Sequence, residues 1–252
     1  MASPKPLRLA AVGDLHCTLN SGAELRHLFA SAAEAADALL LCGDLTDYGL
    51  PEEAHVLAEA LATITIPVVG VLGNHDYESG RQDEVRRLLA ATGAHLLDGE
   101  ACEIQGVGIA GAKGFPGGFG RYALGPWGEN TIKAFVAEAV KEAHRLESAL
   151  AKLRTPERVV LLHYAPIVAT IQGEPLEISC FLGSSRLEEP LIRYPATAVF
   201  HGHAHRGSLE GRTVNGTPVY NVAKPLLQRS FPDRPAFRVL ELTRREGAAA
   251  RS

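Results

Sequence analysis

The chain has 252 residues, 46% hydrophobic and 21% charged, which is enough for a sizeable core and ordinary for a globular protein. Its 25 basic and 29 acidic residues leave a formal net charge of −4, which counts against a non-specific nucleic-acid binder, whose surface is broadly basic. A small phosphorylated substrate is not excluded, because a local site can be positive inside an acidic protein.

The N-terminal text MASPKPLRLAAVGD has no long apolar region and runs straight into a strand pattern, so no signal peptide is expected. Residues 7–13 (LRLAAVG) read as a strand, 23–36 as a helix and 38–42 (ALLLC) as a second buried strand. Pro51 opens a helix expected through Ala62, at a position where proline is tolerated. A third strand is expected over 67–72 and a helix over 81–91. Short apolar runs separated by helices mark a sheet covered on both faces.

After residue 93 the pattern changes to short strands at 94–97, 101–105 and 107–111. A Gly-rich stretch, 111–128, precedes a long helix over about 129–153. Its apolar stripe is read as Ile132, Phe135, Val136, Val140, Leu146, Leu150 and Leu153. Buried strands return at 158–162 and 196–200. RTVNGTPVYNV, 212–222, is a hairpin signal, with Asn-Gly suited to a type I′ turn. Residues 236–242 close as a strand, and REGAAARS at the end is expected to fray. These elements predict an α/β fold, one domain over residues 1–252, with two packed sheets and outer helices.

No apolar run approaches the ~18 residues of a membrane span. Cys17, Cys42, Cys102 and Cys180 form no CxxC pair and no disulfide framework, which suits a reducing cytoplasm. Cys17 adjoins a candidate metal ligand, which raises the question of its sensitivity to oxidation.

The ends of the strands carry the chemistry. The first ends in GDLHC (Asp14, His16), the second in GDLTD (Asp44, Asp47) and the third in GNHD (Asn74, His75, Asp76). The strand at 158–162 ends in His163, and that at 196–200 in HGHAH (His201, His203, His205). In open α/β sheets, ligands gather beyond the carboxyl ends of strands. Carboxylate, imidazole and amide oxygen without thiolate suit Mn, Fe or Zn. The number of candidates is about twice what one tetrahedral ion needs, which suggests two ions sharing a carboxylate. Alone, each Asp or Asn reads as a turn residue, and His163 as a packed histidine. His201 reads as structural or as a residue supporting the ligands from behind, and Asp76 as a turn cap. His203 and His205 share a side if their segment is extended.

The ordered series D-x-H, GD-x-x-D, GNHD, H and GH-x-H resembles the calcineurin-like metallophosphoesterase superfamily, over Asp14 to His205. The resemblance implies a four-layer α/β/β/α sandwich with two mixed sheets. It implies one metal on Asp14, His16, Asp44 and His205, and a second on Asp44, Asn74, His163 and His203. It also implies that His75 serves the leaving group and pairs with Asp47, and that a hydroxide held by both metals is the nucleophile. The protein Ser/Thr phosphatase branch shows GDxxDRG and GNHE; here the text is GDLTDYG and GNHDY, with Tyr48 in place of the arginine. That difference points to a phosphodiesterase acting on small or nucleotide substrates. A phosphomonoesterase, a nuclease of the same superfamily and a non-enzymatic scaffold remain as alternatives. Lys113, Arg121 and Tyr48 are candidate substrate contacts. LEISCFLGSS, 176–185, reads as a lid or part of an interface, and Cys180, Ser184 and Ser185 have no partners for a nucleophilic triad.

Overall fold

The computed structural model describes residues 6–243; the expected frayed end, 245–252, lies outside them. In chain order the elements are β1 (Leu7–Val12), α1 (Gly22–Ala35), β2 (Ala38–Cys42), α2 (Pro51–Leu61), β3 (Val68–Val71), α3 (Gln82–Ala90) and β4 (His95–Leu96). Then come β5 (Glu100–Ile104), β6 (Val107–Gly111), α4 (Asn130–Lys152), β7 (Glu157–Leu161), α5 (Ser179–Leu182) and α6 (Glu188–Arg193). The described chain closes with β8 (Ala198–His201), β9 (Glu210–Arg212), β10 (Pro218–Asn221), α7 (Lys224–Ser230) and β11 (Arg238–Leu242).

Two mixed sheets result. One has the order β11-β1-β2-β3-β4, parallel except for β11; the other has the order β5-β6-β7-β8-β10-β9, with β5 and β9 antiparallel to their neighbours. The period-2 alternation of a strand sorts side chains between two cores. Val159, Leu161, Ile109 and Phe200 of the second sheet join β1–β3 in a shared core between the sheets. Their neighbours Val160, Leu162, Ala110 and Val199 turn the other way, onto Leu146 and Leu150 of α4 and Leu191 of α6. Helices α1–α3 cover the outer face of the first sheet with Leu25, Phe29, Leu57 and Leu89. The layers are therefore α/β/β/α, as expected.

Two local expectations are corrected. In α4, Ile132 and Val140 are exposed, and the buried stripe is Val136, Ala139, Ala143, Leu146 and Leu150, with Glu142 buried among them. This stripe follows the 3.6-residue period more closely than the set read from large side chains alone. The hairpin at 212–222 forms, but positive φ is confined to Gly216, at 88°. A type I′ turn needs positive φ at both central residues. Here Gly216 N–H bonds Thr213 O at 2.9 Å and Thr213 N–H bonds Thr217 O at 2.9 Å, which is a three-residue loop with glycine in its left-handed position.

Candidate metal centre

The carboxyl ends of β1, β2 and β3 from one sheet and of β7 and β8 from the other meet at one edge of the sandwich. Of the five described non-glycine residues with positive φ, four are here: Asp14 (56°), His16 (45°), Asp44 (48°) and His203 (67°). Such backbone is costly for a residue with a Cβ and concentrates at functional sites. The glycines of the motifs have a packing role. A Cβ on Gly73 would overlap the Asp44 carboxylate, and one on Gly202 would overlap that of Asp14. The GN and GH pairs therefore leave room for neighbouring carboxylates.

Three groupings of donor atoms form: Asp14, His16 and His205; His16, Asp44 and His75; and Asp44, His163 and His203, each within 4.8 Å. Asp44 faces two ways. Its Oδ2 lies 3.9 Å from His16 Nε2, and its Oδ1 lies 3.3 Å from His163 Nε2. Asn74 Oδ1 is 2.9 Å from His163 Nε2. On the other side, His205 Nε2 is 2.9 Å from Asp14 Oδ1. All seven residues expected to be ligands are thus brought together.

Backbone carbonyls select which imidazole nitrogen faces the centre. His163 Nδ1 is 3.0 Å from Cys42 O, which leaves Nε2 toward Asp44. His203 Nε2 is 3.2 Å from Phe181 O, which leaves Nδ1. Metal-ligating histidines are commonly oriented in this way. His16 has both ring nitrogens buried without an aligned hydrogen bond, each facing only a carboxylate, Asp47 Oδ1 at 3.2 Å from Nδ1 and Asp44 Oδ2 at 3.9 Å from Nε2. Such orphaned atoms, among hard oxygens and imidazoles, fit a divalent cation.

The electrostatics agree. Burial pulls the pKa of His203 down to about 4, and repulsion from His163 adds to this, so the ring is neutral at pH 7. Burial lowers that of His16 as well. Burial also works against charge on His163, but Asp44 opposite it prevails and raises its pKa to about 9. For Asp44, burial opposes ionisation, yet His163 holds the carboxyl well below the usual range.

His75 departs from the expected geometry in two ways. Asn74 is in the right-handed helical region and His75–Tyr77 form a 3₁₀ turn, so the two side chains do not diverge from an extended chain. His75 does contact Asp47, but Nδ1 meets the backbone carbonyl at 2.6 Å. The Asp47 carboxylate points instead to His16 Nδ1, at 3.2 Å. The His75 ring stands edge-on to His16, with centroids 4.5 Å apart. The His203–His205 segment is not extended either: Ala204 N–H bonds Gly202 O, His205 N–H bonds His203 O, and the two rings join different groupings.

Asp76 does more than cap a turn. It is fully buried and accepts the N–H groups of Gly73 (2.8 Å), Leu45 (3.1 Å) and Thr46 (2.8 Å) and the Thr46 hydroxyl (2.6 Å). It therefore ties the loop after β3 to the loop after β2. His201 is structural, buried between Gly202 O and the Thr170 hydroxyl, each 2.8 Å away. The roles of Thr170 and of the Phe181 carbonyl carry no sequence signal. Nor does that of Glu142, whose Oε2 accepts Gly114 N–H at 2.9 Å and whose Oε1 accepts Arg145 at 2.9 Å, which anchors the loop carrying Lys113.

Of the candidate substrate contacts, Lys113 shares a cavity of about 390 Å³ with Asn74. Its ammonium sits 5.4, 5.0 and 5.4 Å from the ring centroids of Tyr77, Phe115 and Tyr164. Arg121 stacks on Tyr122, and the Tyr48 side chain is exposed. Cys17 is buried with its thiol pKa pushed up to about 12 by burial, which makes it unreactive.

Similarity to known proteins follows the same lines. A "Probable cyclic nucleotide phosphodiesterase" of Synechococcus sp. (strain ATCC 27144 / PCC 6301 / SAUG 1402/1) is 23% identical over 253 residues, covering 94% of this chain and 88% of that protein. The crystal structure of a phosphopantetheinyl hydrolase from Mycobacterium tuberculosis superposes with a TM-score of 0.69 at 16% identity, over 95% of this chain and 97% of that one. A crystal structure from Thermus thermophilus gives 0.61 at 16% identity, over 95% and 100%. At these identities the superpositions show a shared fold. The family model described as calcineurin-like phosphoesterase matches residues 7–207, from β1 through the HGHAH loop, and the chain belongs to that family.

Proposed function

We propose that the protein is a phosphodiesterase that holds two divalent ions, Mn, Fe, Zn or a mixed pair, and hydrolyses small or nucleotide diesters. The observation that carries this reading is the Asp44 carboxylate, with one oxygen toward His16 and the other toward His163. Asp14, His16, Asp44 and His205 would hold one ion; Asp44, Asn74, His163 and His203 would hold the other. Bound there, the ions supply charge withdrawal from phosphoryl oxygens and a water acidic enough to ionise near pH 7.

The chain's own groups do the rest. Asp76 fixes the spacing of Asp44 and Asn74 through the loops it joins. The His75 N–H holds Asp44 Oδ1 at 2.9 Å, so its ring is positioned by the same carboxylate. With Nδ1–H donated to Asp47 O, His75 would act in its doubly protonated form, giving the Nε2 proton to a departing oxygen and keeping the one on Nδ1. A positioned general acid is typically worth about 10²–10⁴-fold.

Diester preference rests on Tyr48 and Asp76 standing where the phosphatase branch has arginine and glutamate, and on the relative described as a cyclic nucleotide phosphodiesterase. A dianionic monoester depends more on added positive charge. The Lys113 ammonium nearby is turned to its own Gly114 carbonyl, at 2.8 Å. The test is a panel of Mn²⁺-loaded assays with methyl nitrophenyl phosphate, nitrophenyl phosphate, cyclic nucleotides and single-stranded DNA. Tenfold faster turnover of the monoester, or degradation of the DNA, transfers the reading to a phosphatase or a nuclease. No turnover of any substrate leaves a scaffold. The net charge of −4 and the absence of a basic run count against nucleic acid. No helix of the described residues is long and apolar enough to cross a membrane. The four cysteines are free thiols, which supports a reducing, cytoplasmic setting.

A further inference from the structure

Two segments that the strand-end motifs do not include, the Gly-rich loop at 117–122 and the chain at 168–182, meet beside the metal centre. Between them lies a cleft of about 660 Å³. Its lining includes Phe119, Tyr122, Val168, Ile171 and Leu176. Three of these apolar side chains are open to water, Leu176 at 86%, Tyr122 at 74% and Val168 at 54% exposure.

The cleft is preformed. Gly117 and Gly118 N–H groups bond Gly183 O at 3.0 and 2.9 Å, and Ser185 N–H bonds Gly118 O at 3.1 Å, so the two walls are stitched through backbone. The same chain is fastened to the HGHAH loop. Thr170 meets His201 at 2.8 Å, Phe181 O meets His203 Nε2 at 3.2 Å, and Glu174 Oε1 accepts Arg206 N–H at 2.6 Å. One piece of structure thus orients His203 on one side and walls the cleft on the other.

We propose that the cleft holds the flat heteroaromatic part of an organic phosphate whose phosphoryl group lies at the metal centre. This rests on the reading of that centre as a phosphoester site. The volume is that of a small-ligand pocket, typically about 300–1,000 Å³. Phe119 and Tyr122 are the aromatic side chains of the lining, and Arg121, which also lines the cleft, stands over the Tyr122 ring at 4.7 Å from its centroid. Gln172 and Glu174 line the same cleft, and the Gln172 amide and Glu174 Oε2 make no hydrogen bond with the described residues. Together they match the donor and acceptor edge of a heteroaromatic ring, whereas an alkyl chain would strip water from them without replacing it.

The test is calorimetric titration of the Mn²⁺-loaded protein with adenosine 5′-monophosphate and with ribose 5-phosphate, which differ only in the ring. We expect the nucleotide to bind at least tenfold more tightly. The double variant Tyr122→Ala, Leu176→Ser, at two exposed positions, should bring the ratio to within twofold with an unchanged thermal midpoint. Equal binding of the two phosphates by the unaltered protein overturns the proposal, as does a double variant that keeps the preference. Tighter binding of octyl phosphate than of the nucleotide gives the cleft to an alkyl chain, and a dimer that the double variant dissolves gives it to a second copy. Because binding is read directly, a ring preference without turnover of any ester sinks the hydrolase reading and keeps the cleft. Turnover of methyl nitrophenyl phosphate without a ring preference does the reverse.

Discussion

The carboxylate of Asp76 takes both hydrogen-bond donors of Thr46, the backbone N–H at 2.8 Å and the hydroxyl at 2.6 Å. With Gly73 and Leu45 also donating to it, removal of this side chain strands three backbone N–H groups in a dry interior. Each unsatisfied donor costs about 1–3 kcal/mol, so with three of them Asp76→Ala should lose about 3 kcal/mol of stability or more and bind metal more weakly. Urea unfolding read beside metal analysis checks this. A variant within about 1 kcal/mol of the parent would show that the carboxylate is not a strap.

Asp44→Asn should weaken both ions, because both proposed ligand sets share its carboxylate, while His16→Ala should weaken mainly one. Equilibrium dialysis with elemental analysis counts the ions. Full activity with one ion or fewer per chain rules out the two-ion arrangement.

His75→Ala should retain near-parental metal content. It should slow esters with alkoxide leaving groups by about 10²-fold or more, and nitrophenyl esters much less, since nitrophenolate leaves without a proton. His75 also shares a donor grouping with His16 and Asp44, so metal content is measured beside the rates. Loss of metal, or equal slowing for both leaving groups, assigns the ring to metal binding or packing instead.

In the metal-free protein the His163 pKa is raised from 6.5 to about 9, with burial opposing the proton and Asp44 holding it. Its contribution to metal-free stability is therefore complete below pH 6.5 and is lost as pH rises through about 9. A metal must displace that proton at neutral pH, so affinity should climb with pH across this window. Titrations at about pH 7.5 in buffers of different ionisation enthalpy should reveal proton release. Identical apparent enthalpies in all buffers contradict the assignment.

The strands and long helices were legible because each shows one clear period, 2 or 3.6, over a run of apolar residues. The candidate ligands stood out because they follow those strands directly. The short helices α6 and α7 were not, since Leu191 in one and Leu226 and Leu227 in the other give no repeating stripe. Large side chains misled in α4, where small Ala139 and Ala143 do the packing and Ile132 faces water. The geometry of His75 and of the HGHAH loop was missed because both leave their strands through turns. Alternation, the rule applied to them, ends where the strand ends. The contact between His75 and Asp47 is made by a carbonyl, and every residue has one, so no letter of the sequence could announce it.

The centre takes side chains from three strand ends of one sheet and two of the other, and the His163 ring of the second sheet already rests on Cys42 O of the first, at 3.0 Å. It is a seam as much as a site. An ion bound across it ties the two halves of the sandwich together, so occupancy and resistance to heat become linked by mass action. A chelator should lower the melting temperature as well as the rate. A substitution at Phe200 or Leu161, buried between the sheets and outside the ligand set, should loosen metal binding by shifting one half of the seam against the other.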